Sequence, residues 1–117
     1  MGSIRLRAVF DVPEGRLEEF KAIAQALLDG VREKDPGTLA YDWYLDEKSG
    51  RCVVHEHYAD SAAGIAHLQN AGALLGQLAG TVTVVAVEAY GDPTPEARAA
   101  FDRIRATWLP GFLALGA

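Results

Sequence analysis

Apolar and polar residues alternate in four stretches of the chain, and a period of two is typical of β-strands. These stretches cover residues 4–10, 39–45, 51–58 and 81–90. The turn-forming residues 46–50 separate the second stretch from the third, which predicts a β-hairpin.

Apolar residues spaced three and four apart predict two long helices between the strands. The apolar stripe of the first helix spans residues 17–31, and Asp35-Pro36-Gly37 ends the helix because proline cannot continue it. The second helix begins at a cap on Asp60 or Ser61 and runs to about Leu78.

A third helix is predicted after the last strand, because Thr94 and Pro95 form a typical helix start. Its apolar face carries Ala97, Ala100, Phe101, Ile104 and Trp108. The apolar tail at residues 112–115 follows Pro110-Gly111 and has no predicted element.

The resulting order, β-α-β-β-α-β plus an extra C-terminal helix, is that of the ferredoxin-like α+β fold. In this fold a four-stranded antiparallel sheet carries both long helices on one face. We expect a single domain over residues 1–117, with its core in residues 4–90 and the extra helix and tail in residues 93–117.

The hairpin loop suggests a register in which Asp46 faces Arg51. The helix-facing pairs are then Leu45 with Cys52, Trp43 with Val54, Tyr41 with Glu56 and Leu39 with Tyr58. The other face pairs Tyr44 with Val53, Asp42 with His55 and Ala40 with His57, and we expect Val9, Val85 and Val87 to share it. So many apolar residues on an uncovered sheet face predict a homodimer packed sheet to sheet. We expect the C-terminal helix and tail to complete this dimer or to close the pocket.

Composition narrows the possible partners and location. The 16 acidic and 11 basic residues give a net charge of −5, which argues against a nucleic-acid partner. No apolar run approaches the roughly 20 residues that cross a bilayer, so no membrane segment is expected. Cys52 is the single cysteine, so the chain forms no internal disulfide and a cytoplasmic location is the default expectation.

Glu56, Tyr41 and His67 are the residues most able to carry chemistry. Glu56 lies mid-strand in the helix-facing set, where a carboxyl group needs a partner. His67 flanks the inward stripe of the second helix, so the three side chains converge between sheet and helix. A histidine near a carboxylate suits proton transfer near neutral pH, although the same arrangement is also common as a structural contact.

His55-Glu56-His57 resembles a metal-binding cluster, but alternation on a strand turns the two histidines away from Glu56. With Asp42 as a third ligand they would form an incomplete site, so we expect no metal. The sequence has no Gly-rich phosphate loop, and we expect no nucleotide or flavin cofactor. Tyr41, Trp43, Tyr44 and Tyr58 suit an aromatic-substrate pocket or ordinary strand packing equally well.

Four segments in order resemble the antibiotic biosynthesis monooxygenase family of dimeric α/β-barrel proteins. They are Val12-Pro13-Glu14-Gly15 with Phe20, the segment 35–41 ending in Tyr41, the segment 54–58, and Ala62-Ala63 with His67. Related haem-degrading proteins carry a histidine late in the second helix. Residues 68–72 contain no further histidine, so haem is not expected here.

The resemblance implies a homodimer with a cavity in each subunit and oxidation of a small quinol or phenolic aromatic by O₂ without a cofactor. By the same resemblance His67 or Glu56 would be the catalytic base, and Tyr41, Trp43 and Tyr58 would bind the aromatic ring. Two alternatives stay open. One is a dimer that binds a small ligand without turnover, and the other is an isomerase or lyase of the same barrel group.

Overall fold

The computed structural model describes residues 2–116, which form an α+β fold of the predicted ferredoxin-like type. The elements in chain order are β1 (Ile4–Asp11), α1 (Leu17–Lys34), β2 (Thr38–Asp46), β3 (Arg51–Tyr58), α2 (Ser61–Ala79), β4 (Thr83–Tyr90), α3 (Pro95–Asp102) and β5 (Thr107–Leu109). No helix within residues 2–116 has the length and apolar character needed to cross a membrane.

The sheet has the strand order β2-β3-β1-β4-β5. Strands β1 to β4 are antiparallel to their neighbours, as predicted, and β5 adds a short parallel strand beside β4. The predicted four-stranded sheet is thus extended by an element that the sequence pattern did not reveal.

One face of the sheet packs against α1 and α2 and holds the core. Alternate residues of β1, including Leu6 and Phe10, join Val54 of β3 in this layer. The helices contribute apolar side chains such as Phe20 and Leu27 from α1 and Ala71 and Leu78 from α2. The opposite face, which we call the open face, is covered by no helix.

The predicted hairpin register is confirmed from Tyr41–Glu56 to Asp46–Arg51, but the prediction for Leu39 is wrong. Thr38, and not Leu39, pairs with Tyr58, because the register shifts between Thr38 and Ala40. Leu39 is 58% exposed. A β-bulge leaves one residue out of the pairing and reverses the alternation beyond it.

A second irregularity corrects the prediction for Val87. Val9 pairs with Ala86 while Phe10 pairs with Val84, so Val85 is the extra residue of β4. Val87 consequently pairs with Ala8 and packs against the core instead of lying on the open face.

The third helix begins as predicted, because the Thr94 side chain accepts a hydrogen bond from the Ala97 N–H at 3.2 Å. It ends at Asp102, however, and Trp108 lies on β5. The N–H of Ala106 donates to the Phe101 carbonyl and that of Arg105 to the Asp102 carbonyl, which is the Schellman pattern that terminates helices.

Candidate functional site

His67 is the centre of the candidate site. It lies in α2, and its residue is only 1% exposed. Its Nδ1 is 2.9 Å from Oδ2 of Asp35, the residue that follows α1. The other oxygen of Asp35 accepts a hydrogen bond of 2.6 Å from the Asn70 amide, so the carboxylate is held from both sides.

This pairing determines the tautomer of the histidine. An ionised carboxylate only accepts hydrogen bonds, so Nδ1 of His67 must be the donor toward Asp35. Nε2 then carries the lone pair when the ring is neutral. Nε2 points toward Glu56, whose Oε1 lies 3.9 Å away, which is too far for a direct hydrogen bond.

Glu56 reaches the same place from β3, where its side chain is 11% exposed. Burial raises its pKa above the ordinary value, while the charge of His67 and a hydrogen bond donated by the Tyr58 hydroxyl oppose that rise. The net effect favours the neutral carboxylic acid. The site therefore sets a carboxyl group with a raised pKa, Glu56, beside Nε2 of His67.

Two tyrosines enclose the imidazole. The ring centroids of Tyr41 and Tyr58 lie 5.0 Å and 5.5 Å from that of His67. Burial is the main cause that raises the pKa of both phenols, so they keep their protons. The predicted convergence of Glu56, Tyr41 and His67 between sheet and helix is present in the structure.

A cavity of about 520 Å³ opens beside this group, between α2, β1, β4 and the segment after α3. Glu56 and His67 line it, and most of the remaining wall is aliphatic. Examples of these wall residues are Leu6, Leu68, Leu75, Leu78 and Val82. Arg103 and Arg105, both exposed, also line it.

The three predicted ring-binding residues do not line this cavity. Tyr41 and Trp43 line a separate groove of about 660 Å³ between α1 and β2, and Tyr58 is fully buried. Within residues 2–116 the Trp43 Nε1–H is buried without a hydrogen-bond partner. Tyr41 and Tyr58 contact His67 from the side of the core, and their role in substrate binding stays a prediction.

Sequence reasoning missed Asp35, Asn70 and the two arginines. The sequence pattern indicates only a helix end at Asp35, although this residue belongs to the acidic-Pro-Gly segment that carries the family resemblance. Asn70 follows His67 by three residues, a spacing that places both on one helix face and could have revealed it.

His55 and His57 lie on the open face, where they pair with Arg7 and Arg5 of β1. Glu56 points to the other side of the sheet, as the alternation predicted. Within the described part of the chain, no group of three His, Cys, Asp or Glu side chains has an arrangement that could hold a metal ion.

Several solved structures share this fold. MupZ from Pseudomonas fluorescens is 19% identical, with a TM-score of 0.87, 100% of this chain covered and 96% of that chain. A candidate antibiotic biosynthesis monooxygenase from Caulobacter crescentus is 24% identical, with a TM-score of 0.68 and coverages of 75% and 87%. Rv0793 from Mycobacterium tuberculosis is 20% identical, with a TM-score of 0.67 and coverages of 79% and 96%.

At these identities the structures establish the fold alone, and no curated protein sequence matches the chain. The sequence model of the antibiotic biosynthesis monooxygenase family, however, matches residues 3–76, which is more than half of the chain. The matched range runs from β1 through most of α2 and contains Asp35, Glu56 and His67. The chain therefore belongs to the antibiotic biosynthesis monooxygenase family.

Proposed function

We propose that this protein is a monooxygenase that oxidises a small quinol or phenolic aromatic with O₂, and that His67 is its catalytic base. The observation that carries the proposal is the Asp35–His67–Glu56 group at the wall of the cavity. Asp35 fixes the proton on Nδ1, which leaves Nε2 of His67 able to take a proton from the substrate.

The chemistry that this group supports begins with proton removal. Nε2 accepts the proton of a substrate hydroxyl, and Asp35 stabilises the imidazolium that forms. The electron-rich anion then supplies the electrons that reduce O₂. One oxygen atom enters the ring and the other leaves as water, and the substrate becomes a quinone, so it supplies all four electrons and, through His67 and Glu56, both protons of the water.

Binding of the ring by Tyr41, Trp43 and Tyr58 stays part of the proposal, and it is supported for Tyr41 and Trp43 by the groove that they line between α1 and β2. In the present arrangement Tyr41 and Tyr58 position His67, since their rings pack against the imidazole.

One observation favours a second candidate, an isomerase or lyase. A neutral Glu56 acid and a His67 base 3.9 Å apart form an acid–base pair that can move a proton within one substrate and needs no oxygen. Product analysis with and without O₂ separates the two, because only the oxygenase depends on O₂.

The test of the main proposal is O₂ uptake with a panel of hydroquinols and phenols. Asp35→Asn should lower kcat by about a hundredfold or more with little change in KM, because Asp35 acts on the base and does not line the cavity. Asp29→Asn, the same change on the exposed face of α1, is the matched control. Uptake equal to autoxidation for every compound would contradict the proposal.

We further propose that the protein works as a homodimer through the open face and resides in the cytoplasm. Family members are commonly dimeric. The open face carries Val53, which is half-buried, beside Tyr44, which is 56% exposed. The tail exposes Phe112, Leu113 and Leu115, so both features offer apolar surface to a second copy.

A further inference from the structure

Two exposed arginines line the mostly apolar cavity. Arg103 and Arg105 belong to the segment that joins α3 to β5, and they line the cavity that also contains Glu56 and His67. His67 is nearly inaccessible to solvent whereas both arginines are exposed. The cavity therefore has an inner end with acid–base groups and a mouth with positive charge.

Neither guanidinium forms a side-chain hydrogen bond or ion pair with another residue of the range 2–116. By contrast, the nearby Arg98 packs over the Trp108 ring at 5.6 Å. Among the described residues that line this cavity, Arg103 and Arg105 are the two with an arginine or lysine side chain. An anion bound at the mouth of the cavity would pair with both guanidinium groups.

The backbone of Arg105 has a conformation that is unusual for a residue with a side chain. Its φ is 61°, the only positive φ of a non-glycine residue within residues 2–116. Arg105 occupies the position of the Schellman motif that glycine usually takes, because a side chain is disfavoured in the left-handed conformation. The cap ends α3 and places Arg105 in the segment that lines the cavity.

Sheet geometry indicates the length of the ligand. Glu56 lies on β3, and the arginines precede β5, three strand positions away in the order β3-β1-β4-β5. With neighbouring strands nearly 5 Å apart, these strands are separated by roughly 14 Å. Apart from Glu56, His67 and the two arginines, most residues that line the cavity are aliphatic, with Leu75, Leu78 and Val84 among them.

We propose that the cavity accepts an elongated, mostly apolar substrate that carries an anionic group at one end. Arg103 and Arg105 bind the anion at the mouth, and the opposite end reaches His67 and Glu56. The assignment of the reacting end rests on the proposed function, whereas the anionic end can be tested without turnover.

The test compares ligands with the same alkyl chain by calorimetry: octanoate, octyl phosphate and octan-1-ol. The anions should bind about tenfold more tightly than the alcohol for each arginine engaged, and added NaCl should weaken only the anions. A stronger preference for octanoate identifies a carboxylate, and one for octyl phosphate identifies a phosphate; either supports the inference. Equal binding of anion and alcohol, or no binding, would overturn it.

Arginine variants test which residues cause the preference for anionic ligands. Arg103→Gln and Arg105→Gly should each reduce the preference for the anion about tenfold, and Arg105→Gly should also raise Tm because glycine relieves the left-handed strain. Arg51→Gln, which removes an exposed arginine that begins β3 and lines neither the cavity nor the groove, is the matched control. An equal effect of Arg51→Gln would overturn the proposal.

Glu56→Gln separates this inference from the proposed function, because it changes the acid–base group and should leave the anion preference intact. A protein that prefers the anions but turns over no quinol or phenol would contradict the monooxygenase proposal alone. A protein that consumes O₂ with quinols but does not distinguish octanoate from octan-1-ol would contradict the inference alone.

Discussion

Glu56 is a carboxyl group enclosed by a phenol, an imidazole and apolar strand residues. Its pKa lies above the ordinary value of 4.5 chiefly because burial disfavours the charged form. Between pH 4.5 and the raised pKa, the folded chain keeps a proton that the unfolded chain has lost. The free energy of unfolding therefore falls as the pH rises through this window.

We expect Glu56→Gln to remove that dependence, because glutamine does not titrate and can still accept the hydrogen bond from Tyr58. Urea unfolding of both proteins between pH 4 and 8 measures the difference. The free energy of unfolding of Glu56→Gln, relative to that of the wild type, should rise by about 1.4 kcal/mol for each pH unit of the window. Glu33→Gln, on the exposed side of α1, is the control; parallel curves for wild type and Glu56→Gln would show that Glu56 is not held protonated.

At the residue scale, short-range patterns predicted half of the site. The strand alternation placed Glu56 opposite Tyr41, and helical spacing turned His67 inward, because both depend on local geometry. Asp35 escaped prediction because its contact with His67 joins residues 32 positions apart. Which residue Asp35 contacts depends on how α1 and α2 pack together, and a local sequence pattern does not show that packing.

The glycines of α2 show how one element meets its neighbour. A Cβ at Gly64 would lie 2.9 Å from Cε2 of Phe101 in α3, whereas a Cβ at Gly72 would meet nothing within 4 Å. Helix propensity favours alanine over glycine by about 1 kcal/mol at either position. Only at Gly64 is that gain opposed by a steric contact.

We expect Gly72→Ala to raise the free energy of unfolding by about 0.5–1 kcal/mol. Gly64→Ala should lower it by about 1–2 kcal/mol, because Phe101 is fully buried and has little room to move. Thermal and urea unfolding measure both variants. Since they make the same substitution in the same helix, an equal gain in both would show that α3 does not pack closely on α2.

The sequence predicted the long helices and the first four strands, but it did not predict the bulges in the strands or the end of α3. Two bulges, at Leu39 and Val85, each displace one residue and so moved Leu39 and Val87 away from their predicted faces. The end of α3 was misplaced because Arg105 adopts a conformation that glycine normally signals. In each case the backbone departs from the period on which the prediction rested.

At the scale of the whole molecule, the two faces of the sheet differ in how they are covered. The helix-facing side is closed by α1 and α2, while the open face combines Val9, Val53 and Tyr44 with charged pairs such as Arg7–Glu88. Tyr44 and Val53 lie toward the β2 edge of the open face, and the Arg7–Glu88 pair lies on the strands at its middle, so apolar and charged groups share one surface, as they do in protein–protein interfaces.

Tyr44→Lys tests the proposed dimer, because Tyr44 lies on the open face and is 56% exposed in the single chain. In a twofold dimer the substitution occurs twice, and each copy loses about 1.5–3 kcal/mol of apolar burial. Sedimentation equilibrium should show two chains for the wild type at micromolar concentration and single chains for the variant. Ala22→Lys, an equal change in charge on the exposed side of α1, should leave the dimer intact. A wild-type monomer would contradict the proposed dimer itself, and a dimer that survives Tyr44→Lys undiminished would place the contact elsewhere than the open face.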